Sequence, residues 1–476
     1  MIADCARRYS HSASCRALFA ACGAALVSSC ADFRGPEFQR PETPEKPSWS
    51  RPAAAVSASD TITQDWWREF RDPYLSTLVD RAIAGNFDLK VLAARIQVAA
   101  AQIGEAQAGA LPTVDLGAGA IFERSTGQKT QRRYDLGVQV NWEVDIWGKV
   151  EKGVQAQTAE YRASEADWRA GYLTLVAAVL TTYFQIRQFD EQIDQQRRSL
   201  ATNKTILTIY AAQFAHGLVP QTQVLRQRAE LNLLTTDLLE LKKSRDLSEN
   251  ALATLTGVPA GELKVPAGHL RDEVRLPGVP AVLPSQLLSR RPDIVAAEYR
   301  VLSAYDLVGQ ARLAQLPSVN LAGRAGTAAL SPGDLFRTFT LSFLPSINFP
   351  MFDPSIKARI RTTEAQTQFV EQDYRRVVMS AFEEVENALV NLVARKGQQA
   401  ELLEATDRLQ VVATQIEAQL KTGVVSQLEV FETERQVLRA QLALVGVHRQ
   451  ILSDTVTLYK ALGGGWPTVN VRNESG

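Results

Sequence analysis

The stretch Tyr134-Asp135-Leu136-Gly137-Val138-Gln139-Val140-Asn141-Trp142-Glu143-Val144-Asp145-Ile146-Trp147 decides the fold. From Tyr134 to Ile146 each even position is apolar and each odd one is polar or glycine. That is the period of two of a strand with one apolar and one wet face. Phe339, Leu341, Phe343, Ile347, Phe349 and Met351 repeat the alternation in the second half of the chain. The offset between the two patterns is odd, so even positions become odd ones and the apolar face survives.

The same offset holds further out. Asp88 maps to Asp293, Leu111-Pro112 to Leu316-Pro317, Leu116 to Leu321, Tyr134 to Phe339 and Trp147 to Phe352. After a slip of one residue, Gly217 meets Gly423 and Val224 meets Val430. Repeated matches at one spacing indicate a duplicated structural unit. In each copy a helix (86–110 and 291–315) ends before Leu-Pro, and two strands follow. A long helical run then extends from Gly148 to His216 and from Pro354 to Thr422, the second opened by the capping pair Asp353-Pro354.

Proline placement agrees with this order. There is none between Thr113 and Val219, nor between Ser355 and Trp466; an interior proline costs a helix about 3 kcal/mol. Within the runs Tyr172, Val176, Val179, Tyr183 and Ile186, and likewise Val378, Phe382, Val385, Leu389 and Leu392, step as coiled-coil seams. At ~1.5 Å per residue each run predicts a rod of roughly 100 Å. Gly217 and Gly423 break the runs, and return helices follow.

These signals divide the chain into a signal segment 1–29, an N-terminal linker 30–65 rich in proline, a first repeat 66–258, a proline-rich connection 259–284, a second repeat 285–466 and a tail 467–476. The fold class is mainly α with β: long coiled-coil helices plus a sheet of four strands per chain.

The N-terminus reads as a secretory signal. Arg7, Arg8 and Arg16 precede the uncharged run Ala17–Val27, and Val27-Ser28-Ser29-Cys30 has the form of a lipobox, which makes Cys30 the expected acylated residue. All four cysteines (Cys5, Cys15, Cys22 and Cys30) lie in this region, so no disulfide framework or cysteine metal site exists beyond it. Removing residues 1–29 takes three Arg and one Asp from 52 residues of each sign, leaving 49 basic and 51 acidic. Such a balance gives no electrostatic case for nucleic-acid binding. No run of about eighteen uncharged apolar residues follows the signal, so no transmembrane helix is expected.

A strand with one lipid-grade face suits a transmembrane barrel, in which every backbone group is paired. One chain supplies four strands and the smallest barrels need about eight. The chain must oligomerise, and three copies give twelve strands, with Tyr134, Trp142, Trp147, Phe349 and Phe352 as candidates for the interfacial aromatic girdles.

The lipobox, Trp66-Trp67-Arg68-Glu69-Phe70 with Asp72-Pro73, Asp145-Ile146-Trp147-Gly148, and Arg290-Arg291-Pro292-Asp293-Ile294 with Ala297-Glu298 resemble the TolC-type outer-membrane efflux proteins, in their NodT-like lipoprotein branch. The resemblance implies a homotrimeric outer-membrane tunnel with a twelve-stranded barrel, a periplasmic helical barrel and a belt from the chain ends and proline-rich middle. It also implies a periplasmic adaptor and an inner-membrane transporter, expected to be of the RND type, as partners, with outer-membrane lipid around the barrel. Phe352-Asp353-Pro354-Ser355 departs from the family's usual Phe-Asp-Gly-Gly, which predicts a stiffer strand-to-helix corner.

The site to look for is the periplasmic tip, where helices reverse at Gly217–Pro220 and Gly423–Ser426. Glu429 and Glu432 match positions where the family places acidic gate residues, and threefold symmetry would make them two carboxylate rings that concentrate cations. Their first-half equivalents are Gln223 and Arg226, and Arg226 is expected to pair with Glu432. The plainer alternative is a pair of solvated glutamates, with Glu432 bonded to Arg435 or Gln436. Adaptor docking is expected around Gly217, Gln223 and Gly423. No cofactor, metal site or enzyme is expected: His216, His269 and His448 lack metal-ligand spacing, and there is no nucleophile elbow or phosphate loop. Competing readings are an adaptor or structural lipoprotein without a pore, and an envelope hydrolase.

Overall fold

The computed structural model describes residues 35–44, 46–50, 62–124, 126–127, 130–270, 274–278 and 284–467. The expected signal segment, Cys30 and the tail beyond residue 467 lie outside them.

Among the described residues a short 3-10 turn (Trp66–Phe70) leads into α1 (Pro73–Gly85) and α2 (Phe87–Ala108). Strands β1 (Thr113–Glu123) and β2 (Gln131–Val144) come next, followed by α3 (Lys149–Ala215) and α4 (Gln221–Leu255). The second half repeats the order with α5 (Pro284–Arg290), α6 (Pro292–Leu313), β3 (Ser318–Ala329), β4 (Thr340–Asn348), α7 (Pro354–Lys421) and α8 (Gln427–Ala461). At 67 and 68 residues, α3 and α7 are each roughly 100 Å long.

The strand bounds differ from the sequence pattern at both ends of β2 and of β4. β2 starts earlier, at Gln131, and stops at Val144, because Asp145 already caps α3: its Oδ2 accepts the N–H groups of Val150 and Glu151 at 2.9 and 3.0 Å. Phe339, Phe349 and Met351 fall outside β4, and the chain turns beyond that strand, with Met351 N–H donating to Phe349 O.

The chain forms two compact units, each drawing on both sequence halves. One contains the described residues up to Thr43, with Ala94–Glu165 and Ala296–Arg376; the other contains those of Pro44–Ala93 and Ala166–Val295 and those from Val377 onward.

The first unit holds a four-stranded antiparallel sheet in the order β1-β2-β3-β4. Two tryptophans near the end of β2 tie it to its neighbours. Trp142 Nε1 donates to Ala110 O, just before β1, at 2.8 Å, and Trp147 Nε1 donates to Pro317 O, just before β3, at 2.6 Å. The helices adjoining the strands are clasped by charge: Lys152 to Asp306 and Arg312 to Glu364, both at 2.7 Å. The N-terminal segment lies along α6, with Phe38 edge-on to Tyr305 and Arg40 gripping Glu298.

The second unit carries the main apolar core, to which the segments before α1, after α4 and at the chain end all contribute. Trp66, Trp67 and Phe70 are fully or nearly fully buried with Tyr183, Phe184, Leu270, Leu452 and Tyr459. Trp66 stacks on Tyr459 at 5.0 Å. Asp72 caps α1 by accepting Leu75 N–H and also receives Tyr183 Oη at 2.5 Å. The Trp-Trp-Arg-Glu-Phe and Asp-Pro signatures are therefore packing and capping elements. Arg291 of the Arg-Arg-Pro-Asp-Ile signature is 7 % exposed. It bonds Asp293, Glu384 and the carbonyl of Ala461, clasping the start of α6 to the end of α8. Burial works against its charge, but these partners leave the guanidinium pKa raised.

A buried ionic network ties α3 and α4 to the segment after α4. Arg245 binds Asp190 at 2.6 Å and Glu249 at 2.8 Å, while Glu249 also accepts Val265 N–H. Burial opposes ionisation of Glu249, yet these donors hold its carboxyl below the usual range.

Candidate functional site

Strand register sorts the sheet's side chains into two faces. Leu116, Val138, Ala325 and Leu341 form one cross-strand row, and Val114, Val140, Gly323 and Phe343 the next. Trp142–Leu321 and Val144–Val319–Ile347 lie on the same side. The opposite face carries the row Asp115, Gln139, Arg324, Ser342, and the row Glu143, Asn320, Ser346. Ile121 and Leu344 are exceptions on this wet face. The apolar face is bare within one chain: Leu116, Phe343 and Ile347 are 74, 69 and 75 % exposed. An apolar surface this continuous marks a face meant for another apolar medium.

Which face is concave follows from glycine. Gly117, Gly137 and Gly326 form a row on the polar side, ended by Thr340. A Cβ on Gly326 would lie 2.8 Å from Leu136 O and 3.0 Å from Gly137 Cα, and one on Gly137 would lie 3.2 Å from Ala325 O. Neighbouring backbone closes in on that side, so the sheet curls around its polar face, as glycine kinks permit. Polar inside and apolar outside is the arrangement of a barrel in lipid and the inverse of a water-soluble one. Within one chain β1 and β4 each pair on one side only, which leaves two rows of backbone donors and acceptors that lipid cannot satisfy.

In the second unit the two helix reversals share one geometry. Gly217 and Gly423 have φ of 69° and 76°, a left-handed conformation that favours glycine. Gly217 N–H donates to Phe214 O and Leu218 N–H to Gln213 O; Gly423 N–H donates to Leu420 O and Val424 N–H to Gln419 O. Beyond each turn the N-caps Pro220 and Ser426 are extended and make no side-chain cap bond.

Glu429 is exposed in the first turn of α8, and Glu432 pairs with Arg435 at 3.8 Å. The expected Arg226–Glu432 ion pair is not formed within one chain; the carboxylate instead pairs with Arg435, three residues on along the same helix. Arg226, Gln223 and Glu432 nevertheless line one cavity of about 370 Å³ with Tyr210 and Phe431. Around it the coiled coil holds polar residues that sequence reading missed. Gln227 Nε2 donates to Asn203 Oδ1 at 2.9 Å, and Gln196 Nε2 to Leu234 O at 3.0 Å. Gln196, Asn203 and Tyr210 recur every seven residues, the heptad signal that reveals them. Glu434 was also missed: it lies between this cavity and a second one lined by Asp407 and Glu417. Burial, reinforced by Glu417, raises its pKa.

A profile described as "Outer membrane efflux protein" matches residues 78–258 and 283–464. The chain is 29 % identical over 432 residues to the pyoverdine export outer membrane protein OpmQ of Pseudomonas putida, covering 88 % of this chain and 91 % of that one. To the cation efflux system protein CusC of Escherichia coli it is 28 % identical over 464 residues, covering 94 and 98 %. Its fold superposes on the outer-membrane channel OprN with a TM-score of 0.81 at 27 % identity, covering 91 % of this chain and 99 % of that one. The open-state Neisseria gonorrhoeae MtrE channel gives 0.81 at 28 % identity, covering 90 and 98 %. With its duplicated helix–hairpin–helix units and a sheet curled around a polar face, this chain belongs to the outer membrane efflux protein family.

Proposed function

We propose that three copies of this chain close one twelve-stranded barrel in the outer membrane and serve as the passive exit duct of a tripartite efflux pump. The observation that carries the reading is the sheet itself: four strands with an apolar convex face, a polar concave face and two unpaired edges. Edge-to-edge closure satisfies the backbone and puts the polar face around a water-filled passage.

Acylation of Cys30 adds an anchor, each buried CH₂ contributing about 0.8 kcal/mol; a relative from Salmonella typhimurium carries the name probable outer membrane lipoprotein SilC. A channel has no energy source of its own, so an adaptor and an inner-membrane transporter, of the RND type, dock at the helix reversals near Gly217, Gln223 and Gly423. Glu429 and Glu432, tripled around the axis, form the cation-concentrating gate there, and Arg226 faces the same cavity. The relatives' names include pyoverdine, toluene and cations at 28 to 29 % identity, so likeness alone assigns no cargo.

Planar-bilayer recording of the purified, detergent-solubilised trimer tests the duct, and a monomer without pore activity refutes it. Glu429→Ala/Glu432→Ala should raise closed-state current and lower cation preference; unchanged values remove the gate. Charge reversal around Gln223 and Glu429 should abolish export while trimers still form.

A further inference from the structure

We infer that Arg324 determines ion discrimination inside the barrel, favouring passage of anionic and zwitterionic solutes. The inference rests on the exit-duct reading and extends it to a part of the wall remote in sequence from the gate residues.

The charges on the concave face are few. On the strands they are Asp115, Glu123, Arg133, Asp135, Glu143 and Arg324. Glu143 is neutralised by Lys149 at 2.5 Å. Glu123 and Arg133 belong to the hairpin end of β1 and β2, where Glu123 faces Gln131 and Arg133 faces Ile121. The middle of the face therefore holds Asp115, Asp135 and Arg324.

These three do not reach equally far into the passage. The Asp135 carboxylate lies flat against the wall over Gly119, with both oxygens 3.1 Å from where a Cβ on that glycine would stand. Asp115 has a short side chain. Arg324 is exposed, and its row neighbours are the uncharged Gln139 and Ser342. Asp115 is two strands away in the same row, roughly 10 Å at the usual strand spacing, with Gln139 between them. The next row toward the hairpin is the glycine row, which presents no side chain before Thr340. A guanidinium keeps its charge at any physiological pH. Three copies of Arg324 thus place the innermost fixed charges of the barrel, and they are positive, with the acids behind them on the wall. A ring of cationic side chains favours anions.

The test is the reversal potential of purified trimers in a planar bilayer under a KCl gradient, repeated with gluconate replacing chloride. Arg324→Gln should lower the anion-to-cation permeability ratio by about two-fold or more, and Arg324→Lys should retain it. Arg324→Cys gives an independent arm, because the mature chain has no cysteine other than the acylation candidate Cys30. A cationic methanethiosulfonate adduct should restore the wild-type ratio and an anionic adduct should lower it further. Equal ratios for the Gln and Lys variants, or a ratio blind to the charge of the adduct, overturn the inference while the duct reading stands. Absence of pores in the unmodified protein overturns both.

Discussion

Trp147 donates its indole N–H to the carbonyl of Pro317, 170 residues further along the chain, at 2.6 Å. The bond joins the corner where β2 becomes a helix to the start of β3, across the seam between the duplicated halves. Trp147→Phe keeps most of the ring area and orphans the carbonyl, at a cost of about 1–2 kcal/mol. Trp147→Ala also removes the ring contacts and should cost about 3 kcal/mol or more. The expected readout is a graded loss of heat-modifiable trimer on gels, with Ala worse than Phe. Equal trimer yields would show that the bond does not position the hairpins.

Gly326 and Gly323 are the two glycines of β3, on opposite faces. A side chain at Gly326 meets Leu136 O and Gly137 Cα, whereas one at Gly323 meets nothing within 4 Å. Valine has high strand propensity, so Gly323→Val should be tolerated or mildly stabilising. Gly326→Val should flatten the curl and abolish barrel closure. Outer-membrane insertion, scored by protease resistance, separates them; equal behaviour would refute glycine as the source of curvature.

Arg291 satisfies two carboxylates and the Ala461 carbonyl from a buried position. Asp293 and Glu384 are partly exposed and rehydrate when it is lost, which limits the cost of Arg291→Met to about 2 kcal/mol. Chemical denaturation followed by circular dichroism should show this loss, while single-channel conductance of the surviving trimers stays unchanged. A change in conductance without a change in stability would give the signature a direct part in transport.

Glu249 and Glu434 should respond to acid in opposite senses. Because the Glu249 pKa is lowered, the stability from its network is complete above the ordinary glutamate range and is lost as pH falls through the lowered folded value. Glu434 is raised, so it carries a penalty near neutrality that is relieved as pH falls through its folded value. The charged groups lining its two cavities are Arg226, Glu230, Glu432 and Arg435, and Arg198, Asp407 and Glu417. Glu434→Gln should raise the melting temperature at neutral pH and flatten its rise on mild acidification. Glu249→Gln should lower the melting temperature at neutral pH and lessen the loss in stronger acid. Matching pH profiles for the two variants would contradict both assignments.

The alternation around Trp142 made the sheet legible, and the breaks at Gly217 and Gly423 made the helix reversals so, because each is a local pattern of period or conformation. The curl of the sheet was not legible, since it depends on Gly137 and Gly326 standing side by side, and register joins them only after pairing. Arg324 looks like any polar strand residue until Gln139 and Ser342 are known to flank it. At the reversals, similarity between Gln223-Arg226 and Glu429-Glu432 fixed the equivalence of positions. It did not fix the partner of Glu432, which the spacing within α8 gives to Arg435.

The central pairing of β2 with β3 joins one ancestral copy to the other, and each compact unit borrows from both. A ring of six half-length chains would enclose the same number of strands, but every hairpin and every reversal would then be identical. Fusion into one polypeptide broke that sameness. It allowed an arginine where the sister segment has a glutamate, and so let a conduit of sixfold ancestry acquire alternating chemistry around its circumference.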